Sequence, residues 1–534
     1  MERRPLLGDE AVALGAIHAG LSGAYSYPGT PATEIFELVE KETHDWPPVT
    51  EGGVHAFWSS NEKVAFEEAL GMSYAGRRAL VSFKHVGLNV AADPFINSAI
   101  TGITGGLVAV SADDPGMHSS QNEQDSRFYA SFALIPCFEP ANGQECYDMA
   151  LEAFDQSERI GLPVMMRLVT RLAHSRSGVA VGQRRAPNPL SPTSRPGDWT
   201  LLPSNARIGY ARLVAKQADI LRWSEESKWN RLRLNAKGGR IGVIASGIAF
   251  NYFRECYQDE NAMPSHLRLG AYPVPTALVS QLLDSVDSVL VLEDGYPLIE
   301  TSLSGLLGSP RGKTIRGRLD GTVPRTGELS PDNVRLALGM TPLEQQNPPS
   351  LALPGRPPCL CDGCPHIDTF NAIKVILAEN PSARVFGDIG CYTLAAYPPY
   401  ETCHACVDMG ASVSMAMGAS AAGLRPVLAT IGDSTFVHSG MTPLVSAAKQ
   451  NLNMTLFILD NGTVAMTGGQ PTMASGERLV NLVKGLGVPP EHIKVIRAHR
   501  REHDANVESI RREVAYDGLS VIIPVRECIQ TAKK

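Results

Sequence analysis

The chain has no uninterrupted apolar run long enough to cross a bilayer; the nearest stretch, after Met409, is rich in small residues and is broken by Arg425 and Pro426. It has no apolar signal core at its start, where Met1-Glu2-Arg3-Arg4-Pro5 leads straight into a polar, helix-like segment. No membrane association and a cytoplasmic location are therefore expected. Nor is there an excess of positive charge: 48 Lys and Arg face 55 Asp and Glu, a formal −7, which argues against a broad nucleic-acid-binding surface. Short-period repeats are absent. Ten cysteines are present, but a reducing cytosol disfavours a disulfide framework. Six of them crowd between Cys359 and Cys406, where metal or cluster ligation must be considered. For Cys137, Cys146 and Cys256 buried inert thiols are expected.

What remains is ordinary globular material, 43% apolar and 19% charged. A length of 534 residues exceeds one hydrophobic core and suggests about three domains. Short apolar runs at Ala79–Phe83, Gly106–Ser111 and Pro163–Leu168, set between helical patterns, predict a parallel sheet wrapped in helices. Ile241–Ala245 and Ser288–Leu292 predict a smaller α/β section. Val427–Ile431 and Met454–Leu459 predict a third section with parallel strands again. Pro- and Arg-bearing residues 184–196 and the proline-rich residues 345–358 read as linkers.

The strongest chemical signal is Gly432-Asp433-Ser434 after one of these strands and Asp460-Asn461-Gly462-Thr463 after the next. Neighbouring strand ends in a parallel sheet face one crevice. Magnesium takes hard oxygen ligands and often phosphates, so Asp433, the Asn461 side-chain oxygen and the Thr463 carbonyl are candidate ligands, with Gly432 allowing close approach of phosphate. Gly-Asp and Asn-Gly are also common turn formers. Their spacing decides for function, because it resembles the thiamine-diphosphate fingerprint, with Gly432, Asp433, Ser434, Asn461 and Thr463 at the cofactor.

Further segments narrow the resemblance. Tyr27-Pro28-Gly29-Thr30-Pro31, Asn61-Glu62-Lys63-Val64-Ala65, the run from Lys84 to Pro94, the run from Asp113 to Arg127 and Gly387-Asp388-Ile389-Gly390-Cys391-Tyr392-Thr393 together resemble large subunits of the indolepyruvate:ferredoxin oxidoreductases, within the 2-oxoacid:ferredoxin oxidoreductase superfamily. The resemblance covers nearly the whole chain. It implies a multidomain α/β thiamine-diphosphate-binding fold with two parallel-sheet cofactor domains and a smaller α/β middle domain: a pyrimidine-binding domain over 1–185, a transketolase C-terminal-like domain over 200–340 and a diphosphate-binding domain over 355–534. Glu62 matches the glutamate that hydrogen-bonds N1′ of the aminopyrimidine, and Thr30 the contact to the substrate carboxylate. His85, His118 and His438 lie in or beside matching motifs and are candidates for proton handling or contact with the oxo group.

Cys361 and Cys364, with Cys391 and Cys528, match the ligands of one [4Fe–4S] cluster. A zinc site built from Cys361/Cys364 and Cys403/Cys406, with His404 as a substitute ligand, is the competing reading. The resemblance implies oxidative decarboxylation of an indolepyruvate- or arylpyruvate-type 2-oxo acid, electrons passing singly to the cluster and coenzyme A capturing the acyl group. It further implies a smaller gamma/beta-type partner subunit. Because the sequence ends at Lys534 without ferredoxin-like cysteine runs, a separate ferredoxin or iron–sulfur electron-transfer subunit is expected. The rivals are a non-oxidative thiamine-diphosphate decarboxylase and a non-catalytic scaffold subunit.

Overall fold

Ala79–Lys84, Leu107–Asp113 and Val164–Val169 form adjacent parallel strands buried along almost their whole length. Helices cover both faces of such strands, which is why they are continuously apolar instead of alternating. A computed structural model describes residues 2–192, 196–236, 239–305, 310–343 and 358–532. The linker expected over 345–358 lies, up to residue 357, outside the described residues, as do residues 193–195 of the other. The chain divides into two units, Met1–Asn347 and Pro348–Lys534.

The first unit holds a seven-stranded sheet in the order Ala271–Tyr272, Cys137–Phe138, Val164–Val169, Leu107–Asp113, Ala79–Lys84, Gly23–Ser26, His55–Trp58. All its neighbours are parallel except the first pair. A second sheet of five strands runs Thr314–Arg316, Ser288–Leu292, Ile241–Ser246, His266–Leu269, Arg231–Arg233. The chain leaves His266–Leu269 and adds Ala271–Tyr272 to the edge of the first sheet, so the two sheets share a continuous stretch of backbone.

A buried ionic network joins them. Arg127 and Arg167 are almost completely enclosed. Arg167 donates to Asp113 Oδ2 and Glu139 Oε1, each at 2.6 Å, and to the Asp294 carbonyl at 2.8 Å. Arg127 meets Asp125 at 2.5 Å, Glu293 at 3.0 Å and the Tyr272 hydroxyl at 3.0 Å. Removing one partner leaves the others buried and unpaired, which outweighs what the pair itself contributes. Arg167→Met is therefore expected to cost about 3–5 kcal/mol, read as a lowered midpoint of thermal unfolding; an unchanged midpoint would show that the network does not hold the sheets together.

The second unit carries a five-stranded, all-parallel sheet in the order Arg384–Phe386, Val427–Gly432, Met454–Leu459, Leu519–Val525, Ile493–Arg497. Two apolar clusters lie within this unit, one including Phe370, Ile373 and Phe457, the other Phe436, Leu456 and Leu479.

Candidate active site

Asp433 follows the buried strand Val427–Gly432, and Asp460-Asn461-Gly462 follows its parallel neighbour Met454–Leu459, with Gly432 opposite Leu459. The two turns are tied together: Gly462 N–H donates to Asp433 Oδ2 at 2.8 Å, and Ser434 N–H donates to Oδ1 at 2.8 Å. Gly462 has φ +75°, a conformation that a side chain would strain. Asn461 Oδ1 accepts from Thr463 N–H at 3.2 Å, and the Thr463 hydroxyl donates to the Gln470 carbonyl at 3.0 Å. A Cβ on Gly432 would come within 2.8 Å of the Tyr392 ring, so that position is held to glycine by packing. Burial, aided by the neighbouring Asp460, pushes the Asp433 carboxyl up to about 7, against the pull of the Ser434 and Gly462 N–H groups. A π-helical turn, Phe436–Gly440, comes next; within it the buried His438 places Nδ1 2.5 Å from Ser439 Oγ.

Four thiols of this unit act on one another. Burial, then Cys364, Cys528 and Cys361, push the Cys391 thiol up to about 12, and burial with Cys361 and Cys528 raises Cys364. Cys403 and Cys406 form a second pair: burial and Cys406 push Cys403 up to about 11, and both thiols feel Asp388. Among the described residues no three cysteine sulfurs lie within 4.8 Å of one another. Sulfurs around one tetrahedral zinc ion, with Zn–S near 2.3 Å, stand roughly 3.8 Å apart. The thiol corner is bonded to the turn that carries Asn461, because Cys528 N–H donates to the Asn461 carbonyl at 3.2 Å and Arg526 N–H to the Asp460 carbonyl at 3.1 Å. The Arg526 guanidinium also donates to the Gly363 carbonyl at 3.1 Å, inside the Cys361–Cys364 turn.

In the first unit, Glu62 opens the helix Glu62–Tyr74, whose cap Asn61 accepts from Val64 N–H at 2.9 Å. The Glu62 side chain is buried, and a Cβ on Gly87 would lie 2.6 Å from its Oε1. His85 is buried; its Nε2 lies 3.2 Å from Asn122 Oδ1, while Nδ1 has no partner. The Thr30 carbonyl accepts from the Ser119 hydroxyl at 3.3 Å, and the Lys84 ammonium donates to the Ser119 carbonyl at 2.8 Å. Thus Thr30, Lys84 and the 114–122 loop come together. Burial draws Lys84 down to about 8, and Asp114 opposes the shift. Lys84 was not singled out from the sequence, although it stands in one of the matching motifs; its proximity to Thr30 depends on the fold. His118 is exposed and faces Glu328 Oε2 at 3.4 Å.

Two family models match the chain: Pyruvate flavodoxin/ferredoxin oxidoreductase, thiamine diP-bdg, over residues 14–200, and Thiamine pyrophosphate enzyme, C-terminal TPP binding domain, over residues 388–523. Proteins named indolepyruvate oxidoreductase subunit IorA from Methanothermobacter thermautotrophicus and Archaeoglobus fulgidus are each 36% identical, over 98% of this chain and 86% of theirs. The chain belongs to the IorA family. The resemblance read from its motifs is thereby established. Like other IorA-family proteins it is a subunit of a thiamine-diphosphate-dependent 2-oxoacid oxidoreductase complex. No described helix is long and apolar enough to cross a membrane.

The donor set of this IorA-family chain fits magnesium: the buried Asp433 carboxyl with the amide oxygen of Asn461 and the backbone carbonyl of Thr463 beside it, all hard oxygens. A metal must displace the Asp433 proton. Since the folded carboxyl holds that proton up to about 7, well above the ordinary 3.8, its favourable contribution to the apo fold is full below pH 4 and is lost as pH rises through 7. Magnesium binding runs the other way. Its apparent affinity is expected to be about tenfold weaker at pH 6 than at pH 8, measured with Mg²⁺ alone as the rise in unfolding midpoint. Asp433→Asn should abolish the rise at both pH values; a rise that persists in the variant would place the ion elsewhere.

Proposed function

We propose that this subunit carries the oxidative decarboxylation of an indolepyruvate- or arylpyruvate-type 2-oxo acid to acyl-CoA and CO₂, with electrons leaving through a [4Fe–4S] cluster on Cys361, Cys364, Cys391 and Cys528. One observation carries this reading: the corner holding these four thiols is hydrogen-bonded, through Cys528, to the turn that presents Asn461. An electron exit beside the cofactor's diphosphate turn is needed for oxidation and serves no purpose in a simple decarboxylase. The names of the relatives favour indolepyruvate as the substrate type.

Thiamine diphosphate, when bound, supplies the carbon nucleophile and the electron sink that let a 2-oxo acid lose CO₂. The residues have distinct tasks in this scheme. Asp433, the Asn461 side chain and the Thr463 carbonyl hold Mg²⁺, while Gly432, kept to glycine by the Tyr392 ring, and Ser434 present backbone to the phosphates. Glu62 holds the proton at N1′ of the aminopyrimidine and so makes the adjacent amino group a usable base. Thr30 receives the substrate carboxylate with Lys84, whose charge suits an acid near neutral pH. His85, whose Nδ1 has no hydrogen-bond partner, handles a proton or contacts the oxo group in this scheme. The segments 1–185, 200–340 and 355–534 serve as pyrimidine-binding, connecting and diphosphate-binding domains. A smaller subunit completes the enzyme, and a ferredoxin or iron–sulfur subunit takes the electrons onward in the cytoplasm.

The test is anaerobic purification with the co-expressed partner, with iron, acid-labile sulfide and thiamine diphosphate quantified. The visible spectrum is then followed as phenylpyruvate or indolepyruvate and coenzyme A are added. Absorbance that bleaches on substrate, after subtraction of the partner's own clusters, is the expected result. Bound thiamine diphosphate with zinc and no iron would leave a non-oxidative decarboxylase as the better account.

A further inference from the structure

In the first unit, three side chains from separate elements point at one small space. Asp9 stands in the first turn of the helix Gly8–His18, Glu34 in the first turn of Thr33–Thr43, and His174 at the end of the short helix Thr170–Ala173. One ligand atom of each lies within 4.8 Å of the other two. Asp9 is 0% exposed, and both its carboxylate oxygens lack a hydrogen-bond partner, as does the buried Oε2 of Glu34. Glu34 Oε1 lies 3.5 Å from His174 Nε2. The adjacent Glu10 is engaged elsewhere, accepting from Leu7 N–H at 2.7 Å.

Buried carboxylates without donors are costly, and native proteins rarely leave them so. A proton shared between Asp9 and Glu34 would join two of the three unpartnered oxygens and leave the third unmet. A divalent cation takes one oxygen from each carboxylate together with the His174 ring nitrogen. We propose that Asp9, Glu34 and His174, none of them assigned to the cofactor, bind a first-row divalent metal ion, Zn²⁺ in particular. The imidazole sets the class: magnesium and calcium prefer all-oxygen shells, whereas two carboxylates with one histidine nitrogen suit zinc. Partly exposed His174 leaves a route of entry, and water fills the remaining position. The ion acts as a brace. Glu34 follows the Tyr27–Pro31 turn, where Gly29 N–H donates to the Thr33 hydroxyl at 3.1 Å, and Thr170, four residues before His174, donates through its hydroxyl to Asp114 at 2.7 Å. The two arms that meet around Thr30 thus spring from the elements the ion would tie together.

The test uses the full chain in complex with its partner, stripped with chelator and reloaded with zinc, in wild type and in Asp9→Asn and His174→Gln. The set is repeated in a Cys361→Ser/Cys364→Ser background, so that zinc on thiols is counted separately. Asp9→Asn preserves shape and buries no new charge, since burial already raises the Asp9 carboxyl well above its ordinary value, and so retains the fold. The expected result is a stoichiometric equivalent of tightly held zinc and a zinc-dependent rise in the unfolding midpoint, both lost in either variant and both kept in the cysteine background. Zinc held equally by the Asp9 and His174 variants, or a wild type that neither retains zinc nor responds to it, would overturn the proposal and leave a proton-sharing pair.

Discussion

Glu62→Gln is expected to lower turnover by about 10²–10⁴-fold, the usual contribution of a positioned acid–base group, while the variant still folds and still binds thiamine diphosphate. Glutamine has the shape of glutamate and the helix cap does not depend on the carboxylate, because Asn61 meets Val64 N–H with its own side chain. On the proposed reading what changes is proton chemistry: an amide cannot hold the N1′ proton as a carboxylate does, so the cofactor's amino group would lose its basicity. The Glu62 carboxylate lies against the backbone at Gly87, where a Cβ would come within 2.6 Å of Oε1. The effect should therefore fall on kcat far more than on cofactor affinity. Pre-steady-state turnover together with cofactor titration separates the two. A glutamine variant with wild-type kcat would remove Glu62 from the chemistry; one that no longer binds the cofactor would make it a binding residue instead.

Local patterns made much of the fold legible. Seven apolar runs read as strands are strands, at Ala79–Lys84, Leu107–Asp113, Val164–Val169, Ile241–Ser246, Ser288–Leu292, Val427–Gly432 and Met454–Leu459, because a strand buried on both faces has to be apolar throughout. The spacing of Gly432-Asp433 and Asn461-Gly462 was legible for the same reason: each turn is fixed by the end of its own strand. Long-range features were not. Ala271–Tyr272 is two residues long and carries no period, yet it completes the first sheet. Asp125 and Arg127 stood in a motif matched for its family character, and the structure uses them to clamp two sheets together, with partners as distant in sequence as Glu293. Lys84 and Thr30 are 54 positions apart, and only the fold brings Ser119 between them. Among the matching histidines, His118 reaches the surface and faces Glu328 while His85 is buried; nothing in the motif distinguishes them.

Serine at Cys364 or Cys391 is expected to abolish reduction of an external acceptor and to turn the product from acyl-CoA to aldehyde, with thiamine diphosphate retained. Both thiols belong to the group of four, and burial first, then the neighbouring thiols, raises their pKa values; thiolate ligation of a cubane uses all four. Loss of one ligand should remove iron from this corner. Cofactor binding survives because the bonds that shape the diphosphate turn, Gly462 to Asp433 and Thr463 to Asn461, involve no sulfur. Cys528 joins that turn through its backbone N–H, so a serine there would keep the bond as well. Decarboxylation leaves an electron pair on the former oxo carbon. With the one-electron exit gone, that carbon can only take a proton, which releases an aldehyde and leaves coenzyme A unused. Product chromatography with iron analysis of the purified complex reads both changes at once. A variant that has lost iron from this corner yet forms acyl-CoA at the wild-type rate would show that the electrons leave by another route, whereas loss of all products together with thiamine diphosphate would make the cysteines part of the fold and not of the electron path.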